Sequence, residues 1–210
     1  MQNLTLDKPV IRTQLRAILD AMTVPERHER SVAASSHLLS TPEFVNARVI
    51  MLYLSMHQEV ETAPICLRAW QEGKSVVVPR IFWGDHAMMP IEIHSLTSNL
   101  KTDQMGLQEP IAGQPIPVEF IDLVIVPGLG FGPLGQRIGR GAGFYDRFLS
   151  QSGFHGTTCG LAFEKQILTT LPMLPHDVCL DMLITDTGIR RFPVAGTADA
   201  NVHQSDHVSP

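Results

Sequence analysis

The chain has 210 residues, a length typical of one domain. Its 16 Lys and Arg residues against 21 Asp and Glu residues give a net charge of −5, which argues against a protein whose main task is binding nucleic acid, because a phosphate backbone needs a basic face. Hydrophobic residues make up 44% of the chain, a fraction that excludes wholesale disorder.

No segment has the features of a secretory signal or a membrane anchor. The first ten residues contain no apolar core, and no stretch approaches ~18 uninterrupted apolar residues. The three cysteines lie far apart and form no Cys-x-x-Cys pair, which argues against a disulfide framework and a cysteine zinc site. We therefore expect a reduced, cytoplasmic protein that binds neither membrane nor nucleic acid.

The first part of the chain predicts helices. Pro9 suits a first helical position, and apolar residues recur at helical spacing over residues 11–22. Thr23 followed by Glu26 is typical of a capping box and predicts a second helix to about Leu39. Thr41 before Pro42 predicts a short third helix. The fold therefore begins with an N-terminal helical pair.

Strand and helix signals then alternate. Strands are predicted at residues 49–54, at 75–78 (closed by Pro79), at 88–93 (an edge strand), at 123–126, at 157–163 and at 182–185. Helices are predicted from Thr62 to near Gly73, at about 144–149 and near 164–169. This order predicts an α/β layered fold, with a largely parallel sheet flanked by helices. We expect a single domain over residues 1–193 and a polar, mobile tail over 194–210.

The segment over residues 122–149 carries the strongest functional signal. Seven glycines fall within sixteen residues after a buried strand, and Arg137 and Arg140 lie among them. So many glycines are entropically costly unless backbone amides must approach a ligand closely. Loop amides, a following helix N-terminus and two guanidinium groups together favour a phosphate-binding loop.

Two alternatives remain open from spacing alone. The segment also fits a flexible, turn-rich linker, although a linker needs no cations. Residues 130–135 match G-x-G-x-x-G, but Pro133 interrupts the match and no helix pattern begins there, so a dinucleotide-binding fold is weakly supported. Asp146 fits equally a carboxylate that stabilises the helix N-terminus and a ligand for Mg²⁺.

The glycine-rich segment resembles the signature of the 5-formyltetrahydrofolate cyclo-ligase family, whose members are also called methenyltetrahydrofolate synthetases. That family shows PGLAFD and then G-x-R-L-G-x-G-x-G-Y-Y-D-R-F-L, where this chain has PGLGFG and GQRIGRGAGFYDRFL. Further blocks follow in family order: YLSMHQEVET at residues 53–62, GKSVVVPR at 73–80, QEP at 108–110, GLAFEKQ at 160–166 and HDVCLDMLIT at 176–185. The resemblance extends over about residues 8 to 190.

This resemblance implies an enzyme that uses ATP and Mg²⁺ to convert 5-formyltetrahydrofolate into 5,10-methenyltetrahydrofolate, with release of ADP and phosphate. Phosphorylation of the formyl oxygen supplies a good leaving group, and nitrogen-10 then closes the ring. The resemblance also implies a fold similar to that of sugar-phosphate isomerases and CoA-transferases. We expect small-molecule substrates, a reduced folate and ATP, and a monomer or weak homodimer.

Carried over position by position, the resemblance also implies a site. Arg140 and Tyr145 would be catalytic, and Asp146 and Asp181 would bind the metal. The nucleotide would contact Lys8, Arg12, Arg137, Ile138, Gly139, Arg140, Gly141, Ala142, Gly143, Phe144 and Tyr145. The folate would contact Met56, Glu61, Arg140, Gly141, Ala142, Gly143 and Phe144.

The positions outside the glycine-rich segment have plainer alternatives. Lys8 and Arg12 also fit a solvated helix face, and Met56 also fits a core position. Glu61 also fits an ordinary surface carboxylate, and Asp181 fits the end of a loop before a strand.

The chain departs from the family pattern at three positions. Gly132 replaces the usual aspartate, Ala142 stands where the family has glycine or lysine, and Phe144 replaces the first tyrosine of YYD. None of these removes an arginine of the segment or its aspartate. We expect activity to survive, with altered substrate affinity.

Two other functions remain as alternatives. The first is a sugar-phosphate isomerase-like enzyme, for which the sequence offers no distinct general base. The second is a non-catalytic folate- or nucleotide-binding protein on the same scaffold, which the three departures keep open.

Overall fold

The structure, a computed structural model, describes residues 7–102 and 106–193. The predicted tail over 194–210 lies outside the described residues, so the predicted domain limit at residue 193 stays a prediction. The helices are α1 Lys8–Asp20, α2 Val24–Leu39, α3 Pro42–Asn46, α4 Ala63–Gln71 and α5 Phe144–Leu149. The strands are β1 Val49–Met51, β2 Ser75–Phe82, β3 Ala87–Glu92, β4 Leu100–Thr102, β5 Gln108–Pro110, β6 Leu123–Val126, β7 Gly130–Phe131, β8 Arg137–Ile138, β9 Thr157–Leu161, β10 Met182–Thr185 and β11 Gly188–Arg191.

Seven strands form one sheet in the order β11-β10-β9-β6-β1-β2-β3. The five inner strands run parallel to one another, and each edge strand pairs antiparallel with its neighbour. The predicted α/β class and the largely parallel sheet are confirmed. The likeness to sugar-phosphate isomerases stays a prediction.

Side chains of β6 alternate between two cores, which explains why its apolar run is uninterrupted. Leu123 and Ile125 pack with the residues that α1, α2 and α4 bury. Val124 and Val126 pack on the other face with Phe148 of α5. A strand covered by helices on both faces needs no polar position, and all four residues are fully buried.

The N-terminal helices follow their predicted caps. The Thr23 hydroxyl accepts a hydrogen bond from the Glu26 amide at 3.3 Å, and the Thr41 hydroxyl accepts one from the Phe44 amide at 3.2 Å. Thr62 precedes α4 as predicted, but its hydroxyl instead donates to the Tyr53 carbonyl at 2.6 Å. Among the described residues, no helix is long and apolar enough to cross a membrane.

The prediction that Pro79 closes its strand is wrong, because β2 continues to Phe82. The Val77 carbonyl accepts a hydrogen bond from the Leu52 amide, so the backbone of Val77 faces β1. Pro79, two residues later, faces the same way, beyond the last residue at which β1 pairs with β2. Its missing N–H therefore removes no ladder bond, and on its other side Pro79 lies opposite Pro90 of the edge strand.

Other boundaries also differ from prediction. The strands predicted at residues 49–54 and 157–163 are shorter, and the helix predicted near 164–169 is a single 3₁₀ turn at Glu164–Gln166. Four pieces of structure were not predicted at all: the β4–β5 hairpin, the β7–β8 hairpin, β11 and a 3₁₀ turn at Val118–Phe120. These are short elements, which carry little periodicity.

Candidate active site

A cavity of about 400 Å³ opens at the carboxyl ends of β1, β2 and β6. Tyr53 follows β1, Pro127 follows β6, and Trp83 follows β2. At β1 the order of the sheet reverses, because β2 lies on one side of it and β6 on the other. Ligands of open α/β sheets bind at such switch points.

Thirteen of the fifteen predicted site residues line this cavity. They are Lys8, Arg12, Met56, Arg137, Ile138, Gly139, Arg140, Gly141, Ala142, Gly143, Phe144, Tyr145 and Asp146. Residues far apart in the chain therefore meet in one place.

The glycine-rich segment forms the β7–β8 hairpin, then a loop over residues 139–143, then α5. Gly143 ends the loop at a φ of +69°, in the left-handed region that favours glycine. The space beside Gly132 is filled by the Gln136 amide, whose Oε1 accepts a hydrogen bond from the Leu134 amide. Because α5 has only six residues, anion binding here depends mainly on loop amides and cationic side chains.

Helix α1 supplies two of the four cations in the cavity wall. Lys8 Nζ lies 2.5 Å from Asp177 Oδ2. Arg12 Nε donates to the Gly139 carbonyl at 2.9 Å, so α1 also holds the loop. Neither side chain is on a purely solvated helix face.

Arg137 lies deepest, with 5% of its side chain exposed. Its Nη2 donates to Asp146 Oδ1 at 2.8 Å, and the Val178 amide donates to the same oxygen at 3.3 Å. Its Nε is buried and has no hydrogen-bond partner among the described residues. A buried donor without a partner is costly, so this position is suited to a ligand acceptor or a water.

Arg140 lies nearer the opening, with 42% of its side chain exposed. Its Nη2 is 3.4 Å from Glu59 Oε1, while Glu59 Oε2 accepts from the Met56 amide at 2.9 Å. Glu59 therefore joins the loop that carries Met56 to the glycine-rich loop. Arg140 is held weakly enough to turn towards a ligand anion.

The Tyr145 hydroxyl is buried and has no hydrogen-bond partner among the described residues. Burial raises its pKa, the charge of Glu59 raises it further, and Arg137 opposes both. The phenol therefore stays protonated at neutral pH. It can donate a hydrogen bond to a ligand oxygen, but it is not a base.

Two carboxylates in the cavity wall, Asp146 and Asp177, are candidates for a metal site. Within residues 7–102 and 106–193, no group of three or more His, Cys, Asp or Glu residues is arranged to hold a metal ion. Mg²⁺ commonly takes one or two carboxylates and fills its other positions with water and phosphate oxygens. The two aspartates fit a site of that kind, completed by a nucleotide.

Glu61 and Asp181 are not among the residues that line the cavity. Glu61 Oε2 lies 2.9 Å from His28 Nδ1 of α2. Asp181 precedes β10, at the amino end of the parallel strands, and its Oδ2 accepts from the amide and hydroxyl of Thr158. The structure thus does not bring either residue together with the thirteen that line the cavity, and the contacts of Asp181 fit its alternative position at the end of a loop.

Among the wall residues that were not singled out from the sequence, Glu59, Trp83 and Asp177 contribute charge or an aromatic ring to the site. Glu59 lies two residues from the predicted Glu61, and Asp177 lies four residues from the predicted Asp181. Each pair falls within one of the segments that resemble the family, residues 53–62 and 176–185. The only available signal was the presence of two carboxylates in each block, which does not say which one faces inward.

The chain is similar to known proteins along most of its length. The model of the "5-formyltetrahydrofolate cyclo-ligase family" matches residues 5–186. The 5-formyltetrahydrofolate cyclo-ligase of Mus musculus is 30% identical over 188 residues, which cover 83% of this chain and 91% of the mouse protein. The protein of that name from Escherichia coli K12 is 27% identical over 172 residues, which cover 80% of this chain and 94% of its own length.

Solved structures agree with these relatives. The structure of Aquifex aeolicus 5,10-methenyltetrahydrofolate synthetase superposes with a TM-score of 0.79 at 27% identity, covering 94% of this chain and 99% of that one. A synthetase from Mycoplasma pneumoniae, at 23% identity and a TM-score of 0.71, supports the fold. By the extent of the family match and the identity to the mouse protein, the chain belongs to the 5-formyltetrahydrofolate cyclo-ligase family.

Proposed function

We propose that this chain catalyses the ATP- and Mg²⁺-dependent conversion of 5-formyltetrahydrofolate into 5,10-methenyltetrahydrofolate, ADP and phosphate. The observation that carries the proposal is the meeting of four cations and two aspartates around a glycine-rich loop, at the switch point of the sheet. Family membership supports the same reaction.

The reaction proceeds in two steps. The formyl oxygen on nitrogen-5 attacks the γ-phosphorus of ATP, and ADP leaves. Nitrogen-10 then attacks the activated carbon and loses its proton, and the phosphate departs with the former formyl oxygen. Both steps depend mainly on positioning and on stabilising phosphoryl charge.

Different side chains of the cavity bind the phosphates, stabilise the transferring group and donate a hydrogen bond to the substrate. Arg140, the more exposed of the two cavity arginines that pair with a carboxylate, turns to the transferring phosphoryl group and stabilises its charge. Lys8, Arg12 and Arg137 hold the remaining phosphates, together with amides of the loop. Tyr145 donates a hydrogen bond to a phosphoryl or formyl oxygen, because its raised pKa keeps the proton in place.

Asp146 and Asp177 would hold Mg²⁺, which when bound neutralises phosphate charge and orients the β- and γ-phosphates. Asp177 takes this function in place of the predicted Asp181, since Asp181 is engaged by Thr158 outside the cavity. By the same argument, Glu59 rather than Glu61 is the carboxylate that faces the folate, beside Met56.

A turnover assay tests the proposal. Purified chain is mixed with 5-formyltetrahydrofolate, ATP and Mg²⁺, and the near-UV absorbance of the methenyl product is followed. We expect a rise that requires both ATP and Mg²⁺ and that Asp146→Asn weakens. Arg68→Ala serves as the control, because this arginine lies on α4 with half its side chain exposed and does not line the cavity.

The other outcomes are informative. Binding of folate or ATP without turnover would favour the non-catalytic alternative and direct attention to the three departures from the family pattern. Absence of both binding and turnover in a folded protein would overturn the proposal.

A further inference from the structure

Arg147 of α5 connects two loops that come from distant parts of the chain. Its Nε donates to the His86 carbonyl, in the turn between β2 and β3, at 2.7 Å. Its Nη2 donates to the Ala142 carbonyl, in the glycine-rich loop, at 2.5 Å. One planar guanidinium group therefore holds a backbone carbonyl from each loop, through two donor nitrogens at a fixed spacing.

The contacts of Arg147 differ from those of Arg137 and Arg140 in the same segment. Arg137 and Arg140 each pair with a carboxylate in the cavity wall. For Arg147, no carboxylate lies within ion-pair distance in the described part of the chain, and both of its hydrogen bonds go to backbone carbonyls. Its contribution is therefore to geometry rather than to charge neutralisation.

The β2–β3 turn also touches the first residue of α5 through aromatic rings in the cavity wall. Trp83 of the β2–β3 turn packs edge to face on Phe144, with ring centroids 5.1 Å apart and planes at 88°. The Arg147 guanidinium lies 5.6 Å from the centre of the Phe144 ring. Both Trp83 and Phe144 line the cavity, so a shift of the turn moves its wall.

Glycine at position 143 makes room for this arrangement. A Cβ atom there would lie 3.2 Å from Arg147 Nη1, tighter than an ordinary contact. His86, whose carbonyl Arg147 binds, has a φ of +49°, an uncommon value for a residue other than glycine. A turn held in a sparsely populated backbone conformation needs tertiary contacts to keep it there.

We propose that Arg147 is a positioning residue that fastens the glycine-rich loop to the β2–β3 turn and so keeps the cavity in its ligand-binding arrangement. This inference rests on the proposed function for the identity of the ligand, Mg²⁺-ATP. Without the fastening, only a fraction of the molecules holds the loop in place, and the apparent Kd rises by the inverse of that fraction.

The test compares Arg147→Ala and Arg147→Lys with the control Arg68→Ala. All are made with Trp70→Phe, which leaves Trp83 as the single tryptophan of the chain. Acrylamide quenching of Trp83 reports the freedom of the turn without any ligand, calorimetry gives the Kd for Mg²⁺-ATP, and thermal unfolding gives the Tm.

For Arg147→Ala we expect quenching to rise about twofold, because the released turn opens locally. The Kd should rise ~10-fold, if about a tenth of the molecules keep the loop in place. Arg147→Lys should fall between, since one ammonium group cannot hold both carbonyls in the same geometry. The Tm should change by no more than for Arg68→Ala.

Unchanged quenching and Kd in a folded Arg147→Ala would overturn the proposal. So would equal changes in all three variants, or losses that follow the Tm, because these would indicate a general structural effect. If the starting protein did not bind Mg²⁺-ATP, the proposed function would fail, while the quenching of Trp83 would still decide whether Arg147 fastens the two loops.

Discussion

Two arginine–carboxylate clusters in this molecule differ in how completely their polar atoms are satisfied. Beside β10 and the edge strand β11, Arg190 donates to both oxygens of Glu164, at 2.6 Å and 3.0 Å. The hydroxyls of Thr185 and Thr187 also donate to Glu164 Oε2, at 2.8 Å and 2.7 Å. The Arg190 bonds lower the pKa of Glu164 to about 2, with further help from the two threonines and against the effect of burial.

The cluster in the cavity is incomplete. Arg137 makes one hydrogen bond to Asp146, while its buried Nε and the buried Tyr145 hydroxyl lack partners among the described residues. Three other such atoms, on Arg27, Ser35 and Trp70, do not line the cavity, so a missing partner alone does not identify a site. A site is indicated where buried polar atoms without partners also line a cavity, as those of Arg137 and Tyr145 do.

The difference between the two clusters distinguishes residues that stabilise the fold from residues that serve activity. A network in which every acceptor is occupied stabilises the chain by itself, and its removal should lower stability. A network with unpaired buried donors costs stability until a ligand completes it. Substitutions in the cavity should therefore change activity more than stability, and substitutions around Glu164 should do the reverse.

Arg140→Ala should have the largest effect. Loss of the cation that stabilises the transferring phosphoryl group should reduce kcat by roughly 10²–10³-fold. The free energy of unfolding should stay close to that of the parent, because the side chain is half exposed and its bond to Glu59 is long. Turnover and denaturant unfolding measure the two quantities, and activity equal to that of Arg68→Ala would contradict the assignment.

Tyr145→Phe should reduce activity less than Arg140→Ala does. It should leave the stability of the ligand-free protein unchanged or raise it. Losing one hydrogen bond to the ligand should cost about 10-fold in kcat/KM, whereas the ligand-free protein should be unchanged or up to ~1 kcal/mol more stable. The matched variant is Tyr53→Phe, since the Tyr53 hydroxyl donates to the Val60 carbonyl at 3.3 Å. That variant should lose stability, and a Tyr145→Phe protein that loses as much would break the comparison.

Glu164→Gln should lower the free energy of unfolding by about 1–2 kcal/mol, because it weakens hydrogen bonds from a charged donor. Activity should stay within about twofold of the parent. Glu119→Gln, at an exposed glutamate, is the control for removing a surface charge. A loss of turnover without a loss of stability would mean that this cluster also serves the site.

The smallest effect is on the pH dependence of stability. The pKa of Glu164 is lower in the folded chain than its ordinary value of 4.5, so the folded state binds this proton less readily than the unfolded state. The stabilisation is complete above pH 4.5 and is lost as the pH falls towards 2. Unfolding at several pH values should show a shallower acid loss for Glu164→Gln than for the parent, and equal slopes would contradict this account.

Much of the secondary structure could be predicted because its signals are local. A threonine hydroxyl caps α2 and another caps α3, and β6 is a run of four consecutive apolar residues. The extension of β2 through Pro79 could not be predicted, since it depends on where a neighbouring strand ends. The hairpin inside the glycine-rich segment was hidden for a similar reason: its strands have two residues each.

The site shows the same division. The residues of the glycine-rich loop could be predicted because they are contiguous in the chain and form one motif. All five of them, residues 139–143, line the cavity. The choice between Glu59 and Glu61, and between Asp177 and Asp181, was not available from the sequence. Each pair lies within a few residues, and only the packing of its segment decides which carboxylate faces the cavity.

By itself, then, the sequence determined the α/β class, the threonine caps of α2 and α3 and the position of the glycine-rich segment, since these depend on neighbouring residues. Tertiary structure alone decided which carboxylates meet the cations, which donors remain unpaired, and that Arg147 connects two loops 61 and 5 residues away. Those properties depend on distances between segments that the chain order does not contain.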